Sequence, residues 1–356
     1  MRLVRATWDL IWKYWHWLLL GVALVCYGSV FISPIVFWPA VFLGYFIPVV
    51  IALNIVTLIF LLFKNRKKAL VPLVAVVIGI PFLLQTVVYH GKRTSVQSPI
   101  SILSFNAKLF RKAGTYTEFS QEMIDWVAND TSAIKCIQEY SSNAKWKELD
   151  ITDRIVSKGY YAYTHRAPLR FNEHSLGLGL FSKYEMVGTG VVYQESSSVN
   201  GGIYADILVN NDTIRIYNCH FGSMGLNLHQ YTDPEAYGWK IKHLIVSLKA
   251  GAVTRSAQID SLITHTQSSP HPYIICGDFN ETPYSYNYRK LMSQFSGAFE
   301  EAGSGFGFSI NSVFFILRID HQFHSTGIRT LRYRVDRSME ISDHYPTRGV
   351  YEVTPK

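Results

Sequence analysis

Three apolar segments lie ahead of residue 90: roughly Trp17 to Ile32, Val41 to Phe63 and Ala69 to Tyr89. A soluble fold would have to bury each of them on every side, which is hard to arrange three times in so short a stretch. The second is long enough to cross a bilayer outright, and the first reaches that length only by running past Pro34. Trp12, Tyr14, Trp15, Trp17, Trp38 and Tyr89 cluster at the segment edges, where interfacial aromatic belts sit. A cleaved signal peptide would explain the first segment, but no small-residue cleavage site follows it and two more apolar segments do. Buried helices of a soluble protein are the other reading weighed, and three membrane-crossing helices are preferred to it.

Charge sets the orientation expected of them. Arg2, Arg5 and Lys13 precede the first segment, and Lys64, Arg66, Lys67 and Lys68 separate the second from the third. The stretch from Ser33 to Ala40 has no charge, so the positive-inside rule puts the N-terminus and the 64–68 loop in the cytoplasm. Lys92 and Arg93 oppose this only weakly. Everything beyond the third segment is then expected on the non-cytoplasmic side, as in a bacterial inner-membrane protein. The expected organisation is an anchor over 1–92, a linker over 93–99 and a globular domain over 100–353.

The chain has 356 residues and a formal charge of +8, but the excess is not evenly spread. Nine Lys/Arg and one Asp fall in residues 1–98, leaving 25 of each sign for 99–356. The globular part therefore lacks the overall positive charge expected of a protein built to grip nucleic acid. Cys26, Cys136, Cys219 and Cys276 are scattered singly in apolar runs without metal-ligand spacing, so they read as buried core residues.

Within the globular part the run Tyr273–Cys276 reads as a buried strand that stops at Gly277. Asp278 and Asn280 then leave its end on one face, and Pro283 prevents further ladder pairing. Such a pair suits a metal or phosphate, or simply an Asp/Asn turn. The same pattern recurs along the chain. Strands are expected over Ile100–Phe105 ending at Asn106, Ile134–Ile137 ending at Gln138-Glu139, Leu176–Phe181, Gly202–Val209, and Thr213–Cys219 ending at His220. Ile319–Phe323 carries Asp320, and Asp343-His344 precedes a last strand through Val350 and Tyr351. Helices are expected over 119–129, 149–158, 254–266 and 286–295, giving a layered sheet core with outer helices. Repeated polar strand ends suggest one cleft along one edge of a sandwich.

Seven segments, in order, carry a family resemblance: Leu103-Ser104-Phe105-Asn106, Ile137-Gln138-Glu139, Leu180-Phe181-Ser182-Lys183, Tyr217-Asn218-Cys219-His220-Phe221, Gly277-Asp278-Phe279-Asn280, Arg318-Ile319-Asp320-His321 and Ser342-Asp343-His344-Tyr345-Pro346. Over about 99–352 the chain resembles the endonuclease/exonuclease/phosphatase superfamily, which includes deoxyribonucleases, abasic-site endonucleases, neutral sphingomyelinases and inositol polyphosphate 5-phosphatases. The resemblance implies an α/β fold, a four-layered sandwich of two packed mixed sheets flanked by helices. It also implies metal-assisted hydrolysis of a phosphoester, with Mg²⁺, or Mn²⁺ in its place, as cofactor. Hard oxygen ligands suit that ion, and Glu139, Asn106 and Asp343 are the expected set. His344 is the expected acid–base residue, its tautomer fixed by Asp320. Asp278 would orient or deprotonate the attacking water, Asn280 hold a phosphate oxygen, and His220 stabilise developing charge.

The substrate class follows less directly. Phe221 to Val253 reads as a long connection in which Trp239, Ile241, Leu244, Ile245 and Leu248 interleave with Lys240, Lys242, His243 and Lys249. That pattern fits a basic amphipathic segment on a lipid surface, or an ordinary surface helix with a buried stripe. Glu300 to Phe308 resembles the membrane-associated branch related to sphingomyelinases and glycosylphosphatidylinositol-remodelling proteins. A lipid headgroup phosphoester is the expected substrate, with the bilayer as partner and no obligate protein partner implied. A membrane-tethered nuclease acting on nucleic acid and a catalytically silent binding module are the alternatives.

Overall fold

A computed structural model describes residues 2–91, 93–94, 99–112, 118–166, 175–195, 198–223, 237–311 and 317–353. The chain forms two compact units, Met1–Val87 with Pro283–Arg289, and Val88–Thr282 with Lys290–Lys356.

The first unit is helical: α1 (Arg2–Ser29), α2 (Pro34–Phe37), α3 (Ala40–Tyr45), α4 (Ile47–Lys64) and α5 (Leu70–Thr86). Ser33 caps α2 through the Ile35 amide, and Pro34 opens it. The apolar segment expected to run unbroken from Val41 divides at Phe46, where α3 stops and a new helix begins with Pro48 in its first turn. This corrects the expectation of three full spans. Among the described residues α4, with 18 residues, is long and apolar enough to cross a membrane, while α5 is apolar over a shorter length. Ala23, Cys26 and Tyr27 of α1 pack with Val50 and Ile51 of α4, Ala75 of α5 and Tyr284. Leu18, Val25, Val56, Phe60 and Phe63 point outward and stay exposed.

The second unit opens with β1 (Val87–Tyr89), β2 (Ile100–Asn106), α6 (Gln121–Asn129), β3 (Ile134–Ser142), α7 (Ile151–Val156), β4 (Tyr161–Arg166) and β5 (Ser175–Ser182). Next come β6 (Met186–Gln194), β7 (Gly201–Val209), β8 (Asp212–His220), α8 (Tyr237–Gln267), β9 (Tyr273–Asp278) and α9 (Tyr286–Gln294), whose first residues group with the helical unit. It closes with β10 (Ser296–Gly297), α10 (Ala298–Ala302), β11 (Ser304–Phe306), β12 (Asp320–His324), β13 (Ile328–Val335) and β14 (Thr347–Val353). Two six-stranded mixed sheets result, in the orders β13-β14-β2-β3-β5-β4 and β10-β12-β9-β8-β7-β6.

Period-two alternation explains why these strands are apolar on both faces. Ile100 and Ile102 of β2 face the core between the sheets, with Cys136, Ile216, Ile274 and Cys276. Leu103 and Phe105 face the other way and pack under α6 and α7 against Met123, Val127 and Ile155. On the opposite sheet α8 is tied to β8, where the Tyr217 hydroxyl meets His265 Nδ1 at 3.0 Å. All four cysteines are free and buried, as their spacing suggests.

Only β2–β3 and β8–β9 are parallel among the strand pairs of these two sheets. That pairing brings the ends of β2, β8 and β9 to one edge, and antiparallel β12 and β14 begin there. Asp320 therefore opens its strand rather than ending it, in register with Asp278. Gly277 is required just before Asp278, because a Cβ there would lie 1.9 Å from the Cys219 carbonyl oxygen of β8. Gly277→Ala is expected to destabilise the chain by about 3 kcal/mol or more, since backbone must move to make room. Denaturant unfolding of the full chain reads this directly; an unchanged midpoint would contradict it.

Near β13, Glu301 receives His324 Nε2 at 2.6 Å, the Arg93 guanidinium at 2.8 Å and the Thr330 amide at 3.2 Å. Burial alone would push its carboxyl up, but these partners outweigh it and hold the pKa at about 2. A depressed carboxylate pKa contributes stability that is full above the unfolded value and lost as pH falls toward the folded one. Wild type is expected to lose about 1–2 kcal/mol more than Glu301→Gln between pH 4.5 and 2, a figure discounted for partial exposure. Parallel acid titrations of the two proteins that coincide would refute this.

Candidate active site

Asp278 Oδ2 is the hub of the shared edge. The Asn106 amide nitrogen donates to it at 3.0 Å, His220 Nε2 lies 3.6 Å away and His344 Nε2 3.8 Å away. Asn106 comes from one sheet and His220 from the other, in which His220 and Asp320 are the cross-strand neighbours of Asp278 on either side. The other oxygen, Oδ1, accepts the Asn280 amide at 2.9 Å, which turns the chain away from β9. Asn280 itself sits at φ 50, a left-handed conformation that asparagine tolerates.

Glu139 reaches the same cluster from within β3, not from its end. The strand continues to Ser142, and a register shift between Ile137 and Tyr140 lets Gln138 and Glu139 bulge. Glu139 takes φ 43 there, and its Oε1 lies 3.2 Å from the Asn106 amide nitrogen and 3.8 Å from His220 Nε2. A bulge beside an active site re-aims one side chain, which is its effect here. Asn106 meets both carboxylates through its nitrogen, while its oxygen accepts the Lys108 amide at 3.0 Å. In this arrangement it holds the two acids together and does not present an oxygen between them.

His344 is aligned by Asp320, whose Oδ2 lies 2.9 Å from Nδ1. Burial disfavours the imidazolium, but Asp320, Asp278 and Asp343 together outweigh it and hold its pKa well above 6.5. Burial, helped by the Asp278 charge, pushes the Asp320 carboxyl up in turn, so the pair keeps its shared proton well past the usual histidine range. Ligand atoms of Asp278, Asp320 and His344 all lie within 4.8 Å of one another. Asp343, expected in the ligand set, is half exposed, and its Oδ2 pairs with Lys108 Nζ at 2.7 Å. Burial raises its carboxyl, and the His344 and Lys108 charges more than reverse that.

Residues that the sequence did not single out, Arg255, Gln258 and Ser309, join motif residues in holding the loops. Arg255 on α8, fully buried, binds Glu281 Oε1 at 2.7 Å and the Gly222 carbonyl at 2.9 Å, joining the turns after β9 and β8. Gln258, one position from the next helical turn, accepts the Gly222 amide at 2.9 Å. Asn280 Nδ2 donates to the Phe221 carbonyl at 3.1 Å, and Phe221 stacks on Phe279. Ser309 Oγ accepts the Ile319 and Asp320 amides, and Ser342 Oγ donates to the Asn106 carbonyl. Arg255 and Gln258 stand three residues apart on the helix expected over 254–266, the one signal that could have found them. His321, which lies in a motif beside Asp320, is a neutral core residue: burial drives its pKa down to about 3 and its Nε2–H donates to the Glu281 carbonyl. The Glu300–Phe308 stretch supports the strand entry, Glu300 pairing with Arg318 at 2.6 Å.

The expected connection from Phe221 to Val253 is shorter than the sequence suggests, because α8 starts at Tyr237. Residues 224–236 and the side chains of Trp239, Lys240, Ile241, His243 and Leu244 lie outside the described residues. Of the remaining stretch, Leu248 is buried while Ile245 and Val246 are exposed.

A family model described as the endonuclease/exonuclease/phosphatase family matches residues 103–344, and one for a domain of unknown function matches residues 10–86. Comparison with curated protein sequences found no match. Similar solved structures include an endonuclease/exonuclease/phosphatase from Beutenbergia cavernae DSM 12333, at 12% identity over 72% of each chain with TM-score 0.55. The human Nocturnin catalytic domain with bound sulfate anion is 15% identical, covering 73% of this chain and 97% of its own, TM-score 0.51. Sphingomyelinase C from Streptomyces griseocarneus is 17% identical, covering 71% and 99%, TM-score 0.50. At these identities the structural likeness speaks for the fold alone.

Proposed function

Since the chain belongs to the endonuclease/exonuclease/phosphatase family, we propose that it is a membrane-anchored, divalent-metal-dependent phosphodiesterase acting on a lipid headgroup ester. The observation that carries this reading is the convergence of Asn106, His220 and His344 on one buried oxygen of Asp278, with Glu139 and Asp320 beside them. Several acids so close together favour a cation among them, and their oxygens suit Mg²⁺ or Mn²⁺. Glu139 would hold the ion; Asn106 and Asp343, the other expected ligands, are engaged by neighbouring groups. When bound, the ion supplies Lewis-acid polarisation of the phosphoryl oxygens.

The residues divide the remaining work. Asp278 orients the attacking water and takes its proton. His344, cationic at neutral pH, gives a proton to the leaving oxygen, with Asp320 fixing its ring. His220 Nε2 faces the same point and stabilises charge on the phosphoryl group, and Asn280 offers the N–H that Phe221 does not use. Because Asp320 favours the imidazolium, Asp320→Asn is expected to move the alkaline limb of the pH–rate profile down by about one unit or more. A limb that stays in place would remove Asp320 from this role.

The lipid assignment is supported by the exposed apolar faces of α1 and α4 and by the balanced charge of residues 99–356. The anchor is part of the same proposal. The full chain in detergent with Mg²⁺ should be offered sphingomyelin vesicles, phosphatidylinositol vesicles, bis-nitrophenyl phosphate and plasmid DNA. Headgroup release is expected from a vesicle substrate. Plasmid cleavage alone, weakening steeply with salt, would replace the lipid reading with a nuclease.

A further inference from the structure

Lys108 stands on backbone that little else in the chain resembles. Lys108, Leu109 and Phe110 all have positive φ, 47, 55 and 57, and none is glycine. Consecutive left-handed residues cost about 1–3 kcal/mol each and persist only where their surroundings fix them. The surroundings here are specific. Asn106 Oδ1 accepts the Lys108 amide at 3.0 Å, the Phe110 amide returns to the Ala107 carbonyl at 2.7 Å, and the Ser120 amide meets the Phe110 carbonyl at 2.8 Å. Phe110 is fully buried, edge-on to Tyr140. The strained turn thus leaves Asn106 in the cluster and, two residues on, sends an ammonium back to Asp343 Oδ2 at 2.7 Å.

That pairing is at the open side of the site. The Lys108 and Asp343 side chains are 31% and 49% exposed, whereas those of Asp278, Asp320 and His220 are 1%, 3% and 3%. Asp343 adjoins His344, the proposed proton donor. An ammonium there is a positive charge at the exposed side of the cluster, and it keeps two hydrogens free after pairing with one carboxylate oxygen.

Resting on the hydrolase reading, we propose that Lys108 is the built-in second cation of this site. It occupies the carboxylate of Asp343, so that a single divalent ion binds on the Glu139 side, and it contacts a non-bridging phosphate oxygen of the substrate. A positioned ammonium meets the same charge demand as a second ion without needing coordination geometry of its own.

Calorimetric titration of the full chain in detergent with Mn²⁺ tests the stoichiometry. Wild type is expected to bind one ion, and Lys108→Asp, which adds a carboxylate and frees Asp343, two. Two ions in wild type, or one in a folded Lys108→Asp, would overturn the proposal while leaving the hydrolase reading intact. No Mn²⁺ in either protein would overturn both. Should Lys108→Asp not fold, Lys108→Gln carries the test through competition by inorganic phosphate with Mn²⁺ present. Its inhibition constant is expected to rise about tenfold or more over wild type, in keeping with loss of a charged phosphate contact. An unchanged constant would overturn the assignment of Lys108.

Discussion

Replacing His344 with alanine is expected to lower Mg²⁺-dependent turnover of bis-nitrophenyl phosphate by about 10³–10⁴-fold, the scale of a lost acid–base group together with its transition-state contact. The loss should fall on kcat. His344 lies at the meeting of Asp320 and Asp278, whose charges hold it cationic against the cost of burial, and a proton donor is needed only as the leaving oxygen departs. KM should change little, because the ground-state ester does not yet carry that charge. Steady-state kinetics on the full chain, with circular dichroism to verify folding, separates these terms. Turnover within tenfold of wild type would remove His344 from the chemistry.

Asp278→Asn is the second large effect, expected at about 10³-fold or more in kcat, because one oxygen of Asp278 serves three partners. The substitution keeps the shape and the acceptor for the Asn280 amide, but removes the charge that both histidines face. Stability should move the other way. Asp278 lies in register with Asp320 and near Glu139, so a neutral amide relieves repulsion between buried acids. An increase in midpoint of unfolding with loss of activity is therefore expected, a trade that active sites commonly show. Turnover within tenfold of wild type would remove Asp278 from the chemistry, and a midpoint that does not rise would contradict the repulsion argument.

How far the sequence revealed this site depends on the element involved. Asn106, His220 and Asp278 end short apolar strands, and such ends can be read because period-two alternation stops abruptly at a polar residue. Glu139 reads as a strand end and lies in a motif, but its strand runs on, since a bulge depends on tertiary pairing and leaves no periodic trace. Asp343 illustrates a different limit. Its position beside His344 was legible, but its partner Lys108 is 235 residues away and is brought there by a left-handed turn that no propensity would favour. Strands β4, β6 and β13 were not anticipated: β6 alternates half-buried with exposed residues around Gly188 and Gly190, and β13 carries four exposed or half-buried positions. The start of α8 was placed too late because its first turns mix aromatic, basic and apolar residues without a clean stripe. In the apolar N-terminal region hydropathy saw one run where Phe46 and Pro48 divide two helices.

The central claim is that these acids and imidazoles hold a divalent ion against a phosphoester. The most direct measurement is hydrolysis of bis-nitrophenyl phosphate by the full chain after chelation, followed by stepwise addition of Mg²⁺ or Mn²⁺. Turnover should vanish with chelator, return with the metal, and fail to return in Asp278→Asn. Turnover that persists through chelation, or that Asp278→Asn retains, would contradict the account.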